Sequence, residues 1–501
     1  MNNKKVAIIC SYLLIVVDIV VGILFVPFLL KNLGDSEYGL YKLMVSTASY
    51  LSVLDFGIGA TITRYVVKFK TEGKRREEEN FVAMGLCIYG VLAVIVLILS
   101  VCINFAIPHM YSASIPAAQM GYARVMFVLL CVNTAINLVN HAYTGLLHAY
   151  ERFVYSKLIN IVKIFLRIAL IVAGVMVKKS AMVVVITDVS LSLICLICNA
   201  LYTRYNVKCR IKLHKWDGVL AKEAFVFTFA ILIQSIINQF NTNVDSLVLG
   251  IYTTTATIAM YSVALQLYTM YSTLSTAISS VYLPSVSRSV FEGASDDEIT
   301  KKVIEPSRIQ LVILLLALSG YFLFGCDFIK LWVGEEFLYA FVIGAVLLTA
   351  STLELSQNTI TAILKAKNIL HGKTIILAIS TAFNAALTFV LVPKIGAIGA
   401  AIGTAFSMVF GYGVALNIYY QKAAKINLKL YYKKTYRGIL IAAAISTVLG
   451  YFIAKFIDCN GYLDFILEAG IYVVISGAFM LLIGLNKQEK AKILGKLNRK
   501  R

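Results

Sequence analysis

The segment 155–177, YSKLINIVKIFLRIALIVAGVMV, is long and apolar enough to cross a lipid bilayer, which takes about 20 predominantly apolar residues. It nevertheless carries Lys163 and Arg167 well inside its length. On a helix turning about 100° per residue, Asn160, Lys163 and Arg167 share one face. From a start near Tyr155, a rise of about 1.5 Å per residue puts Arg167 roughly 18 Å deep, close to mid-membrane. Cations at that depth cost at least about 2.5–3.5 kcal/mol each, so they face a bundle interior or a wet cavity. Two readings follow. Lys163 and Arg167 bind an anionic cargo, or they neutralise buried acids on neighbouring helices. In both, other spans must enclose them.

The remaining sequence supplies those spans. Only 14% of the 501 residues are charged and 59% are hydrophobic, whereas a soluble domain carries about 25% charged residues. The alternation of an outer-membrane barrel strand is missing. The chain therefore reads as an all-α polytopic membrane protein. Fourteen candidate spans lie at 10–30, 39–61, 81–105, 123–146, 155–177, 181–203, 224–249, 258–283, 308–329, 341–364, 374–393, 397–420, 438–457 and 464–485. The first follows MNNKK without a small-residue cleavage site and reads as an uncleaved helix. Short loops leave no soluble domain.

An even span count puts both termini on one side. Of the 46 Lys and Arg, 36 fall in N-terminal-side loops, five in opposite loops and five within spans. This bias predicts cytoplasmic termini. The net charge of +20 is then a topology signal rather than a nucleic-acid footprint. The basic loops 204–215, 421–437 and 486–501 carry no assigned chemistry beyond contact with anionic lipid. Nine cysteines are scattered, mostly within apolar spans. Cys195 and Cys198 form a C-x-x-C inside an apolar run and read as buried small residues. No metal cluster or cofactor motif is visible.

GLYKLMVSTASYLSVLDFGIGATITRYV (39–66) is echoed at 259–290, and GLLHAYERFVYSKLINI (145–161) at 362–378. Offsets near 220 and 217 indicate two six-helix units in parallel orientation. The expected division is 1–215 for spans one to six with a linker, 216–437 for spans seven to twelve, and 438–501 for two additional spans and a basic tail. Parallel-repeat transporters place their site near the membrane midplane.

Polar stripes run through several spans. Gln234, Asn238, Asn241 and Asp245 lie within about 60° on one helix face, and Asn133, Asn137, Asn140 and Thr144 repeat that spacing. Glu354, Gln357, Asn358 and Thr361 cover a wider arc. Such stripes either hold helices together by hydrogen bonds or line a wet cavity suited to a hydroxyl-rich cargo such as sugar. Asp18, Asp55, Asp245 and Glu354 are candidates for carrying H+ or Na+, and any of these or Asp188, about a third of the way into its span, is a candidate for pairing with Lys163 or Arg167. Arg64, Arg124 and Lys42 sit near span ends, where snorkelling to the interface also accounts for them.

NLGDSEYGLY (32–41), LDFGIGATITRY (54–65), GLLHAYERF (145–153), FNTNVDSLVLG (240–250), FIKLWVGEEF (328–337) and IGAIGAAIGTAFS (395–407) occur in this order. Together with fourteen spans they resemble the polysaccharide transport, Wzx-type, flippases of lipid-linked oligosaccharides. That family shares a superfamily with lipid II flippases and MATE multidrug exporters. The resemblance covers about residues 5–485. It implies two bundles forming a V-shaped, cation-lined cavity that opens alternately to each side of a bacterial inner membrane. The implied cargo is an undecaprenyl-pyrophosphate-linked oligosaccharide for O-antigen, capsule or a related polymer. Polymerase and chain-length machinery are the implied partners. The family's cavity cations would match Lys163 and Arg167 by helix and depth, and Arg64 by motif.

Two alternatives remain. A MATE-like antiporter would depend on ion-binding acids more than on the cations. A membrane glycan polymerase or transferase would carry catalytic acids or histidines in a long external loop. Here the longest such loop, 106–122, has no Asp or Glu and one histidine, His109. No general acid/base pair is apparent, so a non-enzymatic role is expected.

Overall fold

The computed structural model describes residues 3–207, 209–456, 461–487 and 489–490, and every regular element among them is helical. Among the described residues eleven helical segments are long and apolar enough to cross a membrane. The chain forms two compact units, Met1–Ser262 and Val263–Arg501.

The first unit contains α1 (Asn3–Leu33), α2 (Asp35–Ser49), α3 (Ile58–Thr71), α4 (Arg75–Met110), α5 (Ala117–Ala149), α6 (Phe153–Val177), α7 (Ala181–Tyr202) and α8 (Gly218–Tyr252). The helix α9 (Thr255–Phe291) starts here and continues into the second unit. The span expected at 39–61 is not one helix. After α2 the chain tightens into a 3-10 turn, Tyr50–Asp55, and then places Phe56 and Gly57 in the left-handed region at φ 52° and 67°. A right-handed helix cannot run through two such residues, and a bulky residue at positive φ is uncommon. Tyr89 of α4 bridges the break. Its hydroxyl donates to Asp55 Oδ1 at 2.6 Å and accepts from the Gly59 N–H at 2.7 Å.

The helix α5 is the hub of this unit, packing on α2, α3, α4 and α7. Its crossing with α3 depends on two glycines. A Cβ on Gly145 would lie 2.4 Å from the Gly59 carbonyl oxygen. At that approach Thr63 Oγ1 reaches both the Gly145 and Gly59 carbonyls, at 2.8 and 3.0 Å. Small residues at crossings and hydroxyls bonded to backbone are how membrane helices associate where lipid removes the hydrophobic drive.

The second unit adds α10 (Asp296–Val333), α11 (Tyr339–Ser356), α12 (Ile360–Ala366), α13 (Leu370–Ile395), α14 (Ala397–Ser407), α15 (Leu416–Lys422), α16 (Leu428–Tyr436), α17 (Ile439–Phe456) and α18 (Tyr462–Phe479). A capping box opens α10: Ser295 Oγ accepts from the Glu298 N–H, and the Glu298 carboxylate accepts from the Ser295 N–H at 2.9 Å. The helix α10 packs on α11, α16, α17 and α18, and α13 pairs with α14.

Gly145→Ala is expected to overpack the α3–α5 crossing and cost roughly 1–3 kcal/mol. Gly90→Ala on α4, where a Cβ meets nothing within 4 Å, is expected to leave the melting temperature unchanged or higher. Thermal melts of the two purified variants in detergent check the contrast.

Candidate functional site

Lys163 and Arg167 both face α7. Arg167 places a two-pronged fork on Asp188, with Nε to Oδ1 at 2.5 Å and Nη2 to Oδ2 at 2.9 Å. Lys163 Nζ donates to Ser192 Oγ at 3.2 Å. Each step of four along α6 is matched by a step of four back along α7, the register of an antiparallel pair. The same register stacks Tyr155 on Tyr202, with ring centroids 3.6 Å apart. At the other end a Cβ on Gly174 would meet Val183 Cγ1 at 2.5 Å, so glycine is what lets the helices close.

The helix α2 completes the cluster. Tyr41 and Lys42 lie within electrostatic reach of Arg167, and the Lys42 ammonium sits 5.3 Å from the Tyr38 ring centroid. The Arg167 guanidinium also faces the Phe25 ring of α1 at 5.7 Å. Glu37 holds α2 in place from the α7 terminus: its Oε1 accepts from the Ala181 N–H and the Tyr122 hydroxyl, both at 2.6 Å. A carboxylate at a helix N-terminus meets unpaired N–H groups and the positive end of the dipole. Among the described residues Asp188 answers Arg167 alone, Lys163 rests on Ser192 and Lys42 lies within electrostatic reach of Arg167, which leaves a formal surplus of two positive charges. Such a surplus, half buried among helices, favours a dianionic or polyanionic partner.

The N-terminal portion decides the family. Residues 7–290 match the family described as "Polysaccharide biosynthesis protein". The chain belongs to this family. Over 170 residues it is 28% identical to "Probable flippase AglR" of Haloferax volcanii, covering 33% of this chain and 35% of that relative. The match therefore spans about a third of the curated relative's length. Among solved structures, the chain resembles "Lipid II flippase MurJ, inward closed conformation" at 16% identity and TM-score 0.73, covering 95% of this chain and 98% of the other. It also resembles an inward-facing MATE transporter of the MOP superfamily at 14% identity and TM-score 0.60, covering 77% and 92%. At these identities the likeness is one of fold.

The other expected site residues of this polysaccharide biosynthesis protein are dispersed. Arg64 is exposed on α3, outside the cluster. Asn137 Nδ2 donates to Asn133 Oδ1 at 3.3 Å, and Asn140 Oδ1 accepts from Asn199 of α7 at 2.8 Å. Asn140 is thereby engaged as an interhelical tie. On α8, Gln234 donates to Asn238 at 3.0 Å, Asn238 is exposed and Asn241 is half-buried. Gln357 is 3% exposed, and its amide donates to Asn417 Oδ1 at 3.0 Å and to the Tyr432 hydroxyl at 2.9 Å.

The acids differ in surroundings. Asp18 is on α1, and its side chain lies outside the described residues. Asp55 accepts from Tyr89 and sits 3.1 Å from His141 Nδ1 of α5, directly at the break before α3. Asp245 is buried and accepts from the buried Tyr261 hydroxyl at 2.5 Å. Glu354 lies in the last turn of α11 within electrostatic reach of Lys373, whose ammonium donates to Thr361 at 2.9 Å.

Sequence reasoning left Lys42 and Tyr41 out of the site and weighed Asp188 only as one of several intramembrane acids able to pair with Lys163 or Arg167; in the structure Asp188 pairs with Arg167. Lys42 has the signal that finds it, since GLYK is the start of the repeated motif and shares a span face with Ser46 and Ser49. The linker after α7 also has a structural use. Asn80 Oδ1 accepts from the His214 and Lys215 N–H groups at 2.8 and 3.0 Å. There burial, and next the Glu78 carboxylate, push the Cys209 thiol up to about 11, so it stays neutral.

Asp188→Ala is expected to destabilise the protein more than Arg167→Ala does. The first leaves Arg167 without its carboxylate and within electrostatic reach of the like-charged Lys42, while the second removes that repulsion together with the guanidinium. The larger loss is roughly 2–3 kcal/mol, below that of a fully buried pair because both side chains keep some solvent access. A double-mutant cycle read by thermal melting checks this, with the double variant recovering part of the loss.

Proposed function

We propose that this protein is a flippase that moves an undecaprenyl-pyrophosphate-linked oligosaccharide from the cytoplasmic to the outer leaflet of a bacterial cell membrane by alternating access. The carrying observation is the Lys42, Lys163 and Arg167 cluster, with its two surplus positive charges, in a member of this family. The names of the flippase relative and of the lipid II flippase structure support the same reading. The proposal keeps fourteen spans, both termini cytoplasmic, and the six-plus-six repeat with two further helices.

Pyrophosphate and sugar are too polar to cross hydrocarbon unaided. Arg167 offers phosphate the two-pronged geometry it now gives Asp188, and the lysines add point charges. In this mechanism Asp188 stands in for the cargo. It holds the guanidinium in its binding rotamer, keeps the empty site from bearing three bare cations, and competes with bound pyrophosphate so that release stays fast. Asn133, Asn137, Gln234, Asn238 and Asn241 are the amides assigned to sugar. The polyprenyl tail stays in lipid. Coupling to H+ or Na+ is assigned to the acids, with Asp55, 3.1 Å from His141 Nδ1, foremost among them.

Complementation in cells lacking their own glycan flippase tests the proposal. Arg167→Ala, Lys163→Ala and Lys42→Ala are each expected to lower surface glycan about 10- to 100-fold, the loss of one charge-assisted hydrogen bond. Lipid-linked precursor should accumulate inside at unchanged protein level. Asp188→Asn is expected to retain precursor more tightly and export it more slowly. Normal export from all three cation variants would sink the site. Wild-type protein that moves no glycan but lowers drug accumulation would replace the proposal with the antiport reading.

A further inference from the structure

Residues 421–437 contain six Lys and Arg, which topology alone would explain. Their arrangement in the second unit is more specific than that. The helix α16 turns its tyrosines inward. The buried Tyr431 hydroxyl donates to the Ser356 carbonyl at 3.3 Å, and Tyr432 donates to Asn417 at 2.9 Å. Tyr436 pairs its hydroxyl with that of Ser356 at 3.1 Å. Lys433, Lys434 and Arg437 are left exposed on the other side.

Beneath them lies Arg308 of α10, only 4% exposed. Its Nη1 donates to the carbonyls of Lys434, Thr435 and Arg437 at 2.6, 3.2 and 3.3 Å. Its Nε and Nη2 fork onto Glu489 at 2.7 and 3.1 Å. Two consequences follow. The carbonyls that end α16, which would repel an anion, are already occupied. The Arg308 charge is cancelled by Glu489, so among the described residues Lys433, Lys434 and Arg437 remain as three cations without an acidic partner. They rim a cavity of about 680 Å³ whose walls include the apolar Leu430, Ile483 and Leu485. Glu489 and Asn486 stiffen that wall, each carrying a side-chain acceptor for the other's N–H at 2.8 and 2.9 Å.

A cationic rim over an apolar wall, at the start of the apolar helix α17, matches an amphiphile with an anionic head. The cavity is far larger than inorganic phosphate needs. We infer that this cavity binds the phosphodiester headgroup of an anionic membrane lipid. The site is separate from the cation cluster of the first unit and does not depend on the proposed cargo.

Native mass spectrometry of the full-length protein, released from detergent into titrations of phosphatidylglycerol or cardiolipin, tests the inference. Phosphatidylcholine and inorganic phosphate are the comparison arms. The variant carries Lys433→Gln, Lys434→Gln and Arg437→Gln, which leaves Arg308 its backbone carbonyls. Each cation near such a headgroup is worth roughly fivefold, so anionic-lipid affinity should fall on the order of 100-fold. Lys301→Gln with Lys302→Gln, removing two exposed cations elsewhere in the unit, should change nothing. An equal loss in that control, or equal binding of phosphatidylcholine, overturns the inference. So does displacement of the lipid by inorganic phosphate, which would make this a soluble-anion site. If melting shows the triple variant unfolded, Lys433→Gln alone is used, and no loss of lipid there overturns the inference equally.

Discussion

Charge inside a membrane has to be answered by charge, and the Arg167–Asp188 fork is where this protein does so. The pair fixes the register of α6 against α7, because a slip of one residue on either helix would leave both groups unmatched in a low-dielectric setting. With that register set, Lys163 meets Ser192, Tyr155 meets Tyr202 and Gly174 admits Val183. The fork neutralises only one of three cations. The remaining surplus is the basis on which anion binding is proposed for this cluster, since a fully compensated one would have no reason to take an anion.

The fold surrounds this site with breaks and close approaches rather than with straight apolar rods. The Phe56–Gly57 break splits the second expected span, and Tyr89 satisfies a donor on one side of it and an acceptor on the other. Non-helical backbone at membrane depth is tolerated only where protein or water meets its polar groups. The Gly59–Gly145 approach serves the same unit by allowing backbone-to-backbone contact between α3 and α5. The motifs of the chain thus acquire physical roles. Glu37 of NLGDSEYGLY caps α7, and Asp55 of LDFGIGATITRY receives Tyr89 and faces His141.

The polar stripes divide into those that tie helices and those left open. Asn140 and Gln357 are spent on Asn199, Asn417 and Tyr432, whereas Asn238 is exposed. Nothing in the residue spacing separates these cases. A stripe states that one helix face is polar, but its partner is on another helix whose rotation the stripe does not specify. Asp188 illustrates the same gap. It is readable as an intramembrane acid, yet its distance to Arg167 depends on how α6 and α7 meet.

The all-α membrane class, the helical segments and the intramembrane position of Lys163 and Arg167 were determined by sequence alone, because hydropathy and the 3.6-residue period act within one helix. So was the family, through motifs in fixed order. The tertiary structure decided which residues cluster around Arg167. Bringing Lys42 from α2 to Arg167 on α6, and breaking the span at Phe56, are matters of packing between segments far apart in sequence. Those depend on glycine clearances, hydrogen-bond pairing and shared charge, which no single segment contains.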